Sequence, residues 1–479
     1  MRSHVKGYLT VYLSMSITII LSLILTLFMG ARIGAVKMKT ECVADIAMNS
    51  VLAEYSRALY EQYGLLMVDT SYGTGVHSIV NTKEHLSRYV QKNFERPAGG
   101  RLVGAATVFD GYLKDLDITG SSFATDNKCG VLKRQILSYM AAEPIGDLMS
   151  DVEENARLIE ESGLEDIDVE EMASANQEEI DAIELPTIIN EEGEEEELVL
   201  GNPADAVNSQ KHIGVLSLAI RDKSRISAAT ADTGVYASHR KLNKGTGLSD
   251  KEDISFSERL LIEQYLYEKC SSYGREMDKS LLKYQLEYLI YGQGSDYKNL
   301  ESMARYLLFI REAANMLYLF GCDSKVAQAE LIATALTAVL FVPELAELVK
   351  YSILFAWTFA ESISDLNILF SGGRVPLFKS DSTWRLSILN MFSFRDHLGG
   401  GDMGEGFSYT DYLRARLFVT DFETRLLRLC DVMEMDIRRT EGNHGFMADH
   451  CLDVFCAQFT VGTGFGYDAK IERIYGYEY

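Results

Sequence analysis

"GYLTVYLSMSITIILSLILTLFMGA", residues 7–31, sets the organisation of this 479-residue chain because it contains no charged residue. Its 25 residues, as a helix rising 1.5 Å per residue, would extend about 37 Å, which exceeds the roughly 30 Å hydrocarbon core of a bilayer. The stretch is longer than the apolar core of an ordinary secretory signal, although the small residues at 29–31 leave a cleaved leader open as an alternative. We therefore predict an N-terminal transmembrane helix.

Small residues recur at every fourth position of this helix. They are Thr10, Ser14, Thr18, Ser22 and Thr26, and the series continues with Gly30 and Gly34. Helices in lipid associate through close backbone approach at small residues and through hydroxyl hydrogen bonds between helices. The pattern predicts a transmembrane packing stripe. The alternative left open is that each hydroxyl bonds the carbonyl four residues earlier in its own helix.

The helical period continues beyond the apolar stretch, with Ala44, Met48, Val51 and Leu52 on one face. We predict one helix from about residue 8 to 63, which ends before Gly64, so that residues 1–63 form a transmembrane and stalk helix. Residues 64–150 are predicted to form an α+β domain packed on this helix. In that domain 65–69 reads as a strand, and "FDGYLKDLDITGSSF" (109–123) reads as short extended pieces with a turn at Gly120.

The net charge of −24 is concentrated in one segment. Residues 151–197 contain 20 Asp and Glu residues and one basic residue, Arg157, a net of −19 that leaves −5 for the rest of the chain. Residues 151–210 are therefore predicted to be an acidic disordered linker, because they have few aromatic residues with which to form a core. The near balance elsewhere argues against nucleic acid as a partner.

Residues 211–479 are predicted to form a mainly helical domain that ends in short strands. Leu331–Val342 and Tyr351–Ala360 are apolar but too short to span a bilayer, and they are expected to be buried helices. The last 40 residues alternate like strands and should close a small sheet. The predicted fold class is α+β and predominantly α, with one transmembrane helix that continues into a soluble domain.

The strongest candidate for chemistry is "HGFMADHC" (444–451), which brings His444, Asp449, His450 and Cys451 together in sequence. This spacing matches neither a structural zinc site nor a His-Glu-x-x-His helix. The glycine-rich "LGGGDMGEG" (398–406) and "GTGFG" (462–466) lack the context of a phosphate or dinucleotide loop and read as turns. We predict no catalytic, metal or cofactor site and expect that the protein is not an enzyme.

Several motifs carry a resemblance. "KGYLTVYLS" (6–14) resembles the "R-G-x-x-T-V-E-F-A" start of TadE and TadG proteins, the pseudopilin-like components of Tad (Flp) pilus systems. The first 70 residues also resemble the opening of a bacterial family of large membrane-anchored proteins defined only by a domain of unknown function. That likeness continues through "FATDNKCGVLKRQILSYM" (123–140), "IREAANMLYLF" (310–320) and "AELVKYSILFAWTFAES" (346–362).

The resemblance implies a prepilin-peptidase-like cleavage site between Gly7 and Tyr8. Tyr12, however, stands where the pseudopilin pattern has a glutamate, the carboxylate that in pilins is thought to pair with the new terminal amine. We therefore expect an uncut anchor that belongs to the assembly machinery.

These expectations combine into one predicted function. The protein would be a structural or assembly component of a Tad pilus-like or related cell-envelope machine, anchored in the cell membrane by a single pass with its bulk extracytoplasmic. Its partners would be the lipid bilayer and other membrane or pilus-assembly proteins, or a second copy of itself. The alternative is a membrane-tethered extracytoplasmic enzyme such as a hydrolase.

Overall fold

The computed structural model describes residues 4–95, 111–141, 148–189, 195–197, 200–248, 253–399 and 401–477. These residues are mostly helical, with a small sheet, which confirms the predicted α+β, predominantly α class. The helices are α1 (His4–Leu52), α2 (Arg57–Tyr63), α3 (Ile79–Phe94), α4 (Asp126–Ala141), α5 (Leu148–Glu161), α6 (Val169–Asp181), α7 (Asp205–Asn208), α8 (Val215–Ala219), α9 (Phe256–Lys269), α10 (Gln285–Tyr291), α11 (Asp296–Phe320), α12 (Asp323–Val339), α13 (Ala346–Phe370), α14 (Tyr409–Val419) and α15 (Phe422–Ile437). The strands are β1 (Val68–Asp69), β2 (Gly111–Phe123), β3 (Thr187–Ile189), β4 (Glu195–Glu197), β5 (Arg374–Val375), β6 (Phe407–Ser408), β7 (Cys451–Thr463) and β8 (Asp468–Gly476).

The chain divides into two compact units. The anchor unit combines Met1–Ala142, Tyr236–Glu258 and Met433–Tyr479, and the helical unit combines Glu143–Val235 and Arg259–Val432. The segments predicted from the sequence follow one another along the chain, whereas each unit is assembled from separate stretches. The predicted terminal strands consequently lie in the same unit as α1.

The sheet of the anchor unit is antiparallel and has β7 at its centre. β2 pairs along one edge of β7, and β8 and then β1 pair along the other edge. Ala44, Ala47, Met48 and Val51 of α1 are buried in one apolar core with Phe455 of β7. The predicted strand-like end of the chain is thus confirmed, and "GTGFG" is the turn that joins β7 to β8.

The predicted single helix from about residue 8 to 63 is wrong in its last part, because α1 stops at Leu52 and a separate helix, α2, follows. Ser56 causes the break. Its backbone is extended, its hydroxyl accepts the Leu59 N–H, and its own N–H donates to the Met67 carbonyl at 2.8 Å. A hydroxyl at this position satisfies a free N–H at the start of a helix and so stabilises a new one.

Residues 111–123 form one strand, β2, and not short pieces with a turn at Gly120. Gly120 lies at a shift in register between β2 and β7, which is a β-bulge. A Cβ atom at Gly120 would lie 3.3 Å from the carbonyl oxygen of Thr246 and 3.3 Å from the side chain of Cys456. The glycine therefore permits a close approach of neighbouring chain and does not reverse the strand.

In the helical unit, α13 is the central element, and its side chains from Ser352 to Phe370 are buried. Helices α11 and α12 pack on it, as do α6 and α8. Trp357 anchors α13 by donating its indole N–H to the Leu386 carbonyl at 2.9 Å. The prediction that the apolar stretches of this region are buried helices is confirmed for Tyr351–Ala360. It is wrong for much of Leu331–Val342, because Leu331, Val339 and Phe341 are exposed.

The prediction of a disordered acidic linker is wrong for much of its length, because α5 and α6 are helices with buried apolar faces. Ala156, Ile159, Val169 and Ile180 are each at most 7% exposed. Apolar residues at helical spacing pack inward, while the many carboxylates lie on the outer face, so a high charge density does not prevent folding here. Glu191, Glu192 and Glu194 lie outside the described residues.

Candidate functional site: the apolar helix and its seat in the anchor unit

Two helical stretches in the described part of the chain are long and apolar enough to cross a membrane. The first, Tyr8–Leu52, contains an apolar window of which none is buried, and the second, Pro343–Phe370, has its window wholly buried. Tyr8 and Tyr12 are 83% and 72% exposed, and both lie inside α1 together with Gly7. The predicted cleavage at Gly7 and Tyr8 stays a prediction.

The predicted packing stripe lies on the exposed part of α1. Thr18 donates its hydroxyl to the Ser14 carbonyl and Thr26 to the Ser22 carbonyl, each at 2.8 Å. This is the intrahelical alternative to bonds between helices. At Gly30 and at Gly34, a Cβ atom would meet nothing within 4 Å, so the stripe has open space beside its glycines.

Cationic side chains mark the point where α1 enters the anchor unit. The Arg32 guanidinium lies 4.2 Å from the centre of the Phe465 ring in the β7–β8 turn. Lys39, two turns further on, faces the Phe94 ring at 5.2 Å. Arg473 of β8 pairs with Asp45 of α1 at 3.2 Å. From Val36 onward α1 is therefore held by the sheet through apolar, cation–π and ionic contacts.

The candidate segment 444–451 contacts a second loop of the anchor unit that the sequence did not single out. His77 donates its Nε2–H to the Gly445 carbonyl at 2.7 Å, and its Nδ1 lies 3.3 Å from Asp69. The His77 and His450 rings stack with centroids 4.7 Å apart. Burial would lower the pKa of His77, but Asp69 and the Gly445 carbonyl raise it above the usual value. Burial lowers the pKa of His450.

Asp449 and Cys451 of that segment have structural roles. Asp449 accepts hydrogen bonds from the Arg240 guanidinium and from the Asn243 backbone N–H, and Arg240 also pairs with the buried Glu434. Burial raises the pKa of the Cys451 thiol well above its usual value, which disfavours a nucleophilic thiolate. Within the described ranges, no group of three or more His, Cys, Asp or Glu side chains is arranged to hold a metal ion.

The helical unit contains a wholly buried ionic network that the sequence analysis missed. Arg311 of α11 donates to Asp365 of α13 at 2.9 Å, and Lys379 donates to Asp365 at 2.6 Å and to Glu361 at 2.7 Å. All four charged side chains are 0% exposed. A signal was present, because Arg311, Glu361 and Asp365 interrupt otherwise apolar helical runs, and a charge in such a run needs a partner.

These features define a protein with an apolar N-terminal helix seated in a small antiparallel sheet and with a helical unit built around buried charges. Residues 190–463 match the family of unknown function DUF5702, and this match covers more than half of the chain. The chain belongs to this family. No curated protein and no solved structure matches it. The apolar helix α1 precedes the matched residues.

Proposed function

We propose that this protein is a single-pass, membrane-anchored structural or assembly component of a Tad pilus-like or related cell-envelope machine, with its bulk extracytoplasmic. One observation carries the proposal. The same unbroken helix, α1, is apolar and exposed in its first half and buried in the core of the anchor unit in its second half. The likeness of residues 6–14 to the start of TadE and TadG proteins supports the choice of machine.

The physical consequence of this helix is a stiff connection between bilayer and protein. Ala47, Met48 and Val51 are 0% exposed, and burial of a residue such as Val or Met contributes about 1.5–3 kcal/mol. Rotation or tilt of the membrane half would therefore be transmitted to the sheet. An enzyme that needs only to be held near a membrane is served by a flexible tether, whereas an assembly component gains from fixed height and orientation.

The exposed stripe supports a partner inside the bilayer. Open space beside Gly30 and Gly34 would let the backbone of a second helix approach closely. Since Tyr12 replaces the pseudopilin glutamate, we propose that the anchor stays uncut and that the partner is a membrane component of the machine or a second copy of this chain.

The intact mass of the full-length protein extracted from membranes tests the anchor. We expect residues 1–7 to be retained, and we expect protease added outside the membrane to digest the body. Loss of residues 1–7 would contradict the uncut anchor. A body that resists external protease until the membrane is opened would place the bulk in the cytoplasm and overturn the proposed role.

Site-specific photocrosslinking tests the packing stripe. A photoreactive residue at Ser22 should crosslink to one helical membrane partner, whereas the same residue at Ile24 serves as the matched control. Two residues along a helix correspond to a rotation of about 200°, so Ile24 lies on the opposite face. Protein crosslinks of equal yield at both positions would show that the contact is not confined to the stripe, and crosslinks to lipid alone would show that no partner packs on this helix.

A further inference from the structure

One face of α11 lines a cavity of about 380 Å³ in the helical unit. Arg305, Leu308, Phe309 and Glu312 contribute this face, and their spacing of three, four and seven residues places them side by side along the helix. Leu218 of α8 and Phe359 of α13 belong to the apolar wall. The cavity thus combines an apolar wall with a few charged groups, which is the composition of small-molecule sites.

Glu312 is the unusual member of the lining. It is only 8% exposed, yet its carboxyl group has neither a hydrogen bond nor an ion pair among the described residues. The preceding residue, Arg311, is fully enclosed, and Asp365 and two backbone carbonyls accept its hydrogen bonds. A carboxylate that is largely withdrawn from bulk water and has no hydrogen bond to the described part of the chain can pair favourably with a cationic group that enters the cavity.

The charged groups that face Glu312 are already engaged or lie at the rim. Lys211 faces the Phe359 ring at 5.1 Å, Asp168 caps α6 by accepting the Glu171 N–H at 3.0 Å, and Glu170 is exposed in the first turn of α6. Burial raises the pKa of Glu312 to about 7; Lys211 acts against this rise, and Glu170 and Asp168 add to it. Arg305 turns outward and pairs with Glu301 at 3.1 Å.

We propose that this cavity binds a small organic primary ammonium ion that carries an apolar body. The ammonium group would pair with the Glu312 carboxylate, and the apolar body would lie against Leu218, Leu308, Phe309 and Phe359. Acidic groups outnumber basic ones in the lining, which disfavours an anion. A single inward carboxylate offers too few oxygen ligands for Ca²⁺ or Mg²⁺. The proposal is independent of the membrane role and goes beyond it.

The pairing predicts a pH dependence. A bound cation stabilises the ionised form of Glu312, so binding at neutral pH releases a proton, and affinity rises with pH until the free carboxyl is fully ionised. With a pKa of about 7, the ionised fraction of Glu312 rises roughly tenfold between pH 6 and pH 8. Over this range the ligand ammonium keeps its charge.

Calorimetric titration of the full-length protein in detergent tests the site with three probes of similar shape. They are 2-phenylethylammonium, the neutral 2-phenylethanol and the anionic 3-phenylpropionate. We expect the cation to bind at least tenfold more tightly than the other two at pH 8, and its affinity to fall about tenfold at pH 6. Absence of cation binding, or equal affinity for the neutral probe, would overturn the proposal.

Two variants assign the binding to this cavity. Glu312→Gln should lose the preference for the cation, whereas the control Glu301→Gln, on the same helix but outside the cavity lining, should retain it. Leu308→Trp keeps the carboxyl group but fills the cavity, and it should abolish binding of all three probes. Far-UV circular dichroism checks that each variant is folded, because Leu308→Trp adds a third tryptophan to Trp357 and Trp384 and so changes the fluorescence signal. Unchanged binding in either cavity variant would refute the assignment.

Discussion

The helices α1 and α13 are both long and apolar enough to cross a membrane, yet they have opposite environments. The apolar window of α1 is entirely exposed, and that of α13 is entirely buried. Residues 7–31 of α1 contain no charge, whereas α13 carries Glu361 and Asp365 among its apolar residues. The difference shows that an apolar helix with embedded charges belongs in a protein core, where side chains of opposite charge can pair with those charges.

The polar groups of the two helices follow the same logic. Thr18 and Thr26 of α1 bond carbonyls of their own helix, so this helix needs no protein partner for them. On α13, Asp365 requires both Arg311 and Lys379, and Asn367 donates to the Ala219 carbonyl at 2.7 Å. Helix α13 therefore cannot leave the core without stranding charges, and α1 can lie in lipid at little cost.

The largest expected effect comes from breaking the partnership that holds α13. Arg311→Leu would leave Asp365 buried without its guanidinium and should lower the free energy of unfolding by about 3–5 kcal/mol. Tryptophan fluorescence during urea unfolding measures it, since both tryptophans, Trp357 and Trp384, lie in the helical unit. The control Arg157→Leu, which removes an exposed pair with Glu161, should cost about 0.5 kcal/mol or less. If Arg311→Leu lowers the free energy of unfolding as little as Arg157→Leu does, the buried network is dispensable for stability.

The reverse experiment places a charge on α1. Ile20→Arg should raise the free energy of membrane insertion by about 2.5–3.5 kcal/mol, because an arginine at mid-span must enter hydrocarbon. The measurement is the fraction of protein that stays in the membrane after carbonate extraction, and Ile20→Leu is the control. Full membrane retention of Ile20→Arg would argue that α1 does not span the bilayer.

Acid should affect the two helices differently, without any mutation. Burial would raise the pKa of Asp365, but Lys379 and Arg311 hold it below its usual value. A depressed carboxyl pKa stabilises the folded state above the ordinary pKa near 3.8, and this stabilisation is lost as pH falls through the folded value. Tryptophan fluorescence should therefore report destabilisation of the helical unit below pH ~4. Residues 7–31 of α1 contain no carboxyl group, so the fraction of protein that stays in the membrane should be the same before and after acid treatment.

The smallest expected effect comes from removing one hydroxyl group from each of the two helices. Ser362 of α13 accepts a hydrogen bond from Asn315 at 2.9 Å, and Ser362→Ala should lower the unfolding free energy by about 1–2 kcal/mol because a buried amide loses an acceptor. Thr18→Ala removes only an exposed intrahelical bond and should leave stability unchanged. Denaturation midpoints of the two variants measure the contrast, which fails if both losses are equal.

The sequence predicted what depends on local pattern. Apolar length identified α1, period-two alternation identified the terminal strands, and the short uncharged run from Tyr351 to Ala360 was correctly placed in a core. The errors occurred where a contact with a residue distant in sequence determines the local structure. Ser56 ends α1 because its backbone reaches Met67, and Gly120 lies in a bulge because Thr246 approaches it.

The candidate sites were predicted less well for the same reason. Asp69 and His77 are separated from His450 by most of the chain, and nothing in the local sequence indicates that the two imidazoles stack. Glu312 looks like one more helical glutamate until α6, α8 and α13 enclose it. In the acidic segment the error was to predict disorder where helices form. The high charge drew attention away from the apolar residues at helical spacing in α5 and α6.

The packing of α1 against the C-terminal strands also has a consequence for the order of events during synthesis. The Tyr477 hydroxyl donates to the Leu52 carbonyl, a contact that joins residues 425 positions apart. At synthesis rates of about 5–20 residues per second, the sheet that covers the inner half of α1 emerges roughly 20–85 s after the helix itself. During this interval the face of α1 that contains Ala47, Met48 and Val51 is packed by α3 but still lacks the cover of β7 and β8. A ribosome stalled before β7 would therefore leave a chain in which this apolar face is only partly covered, and exposed apolar surface of this kind promotes aggregation.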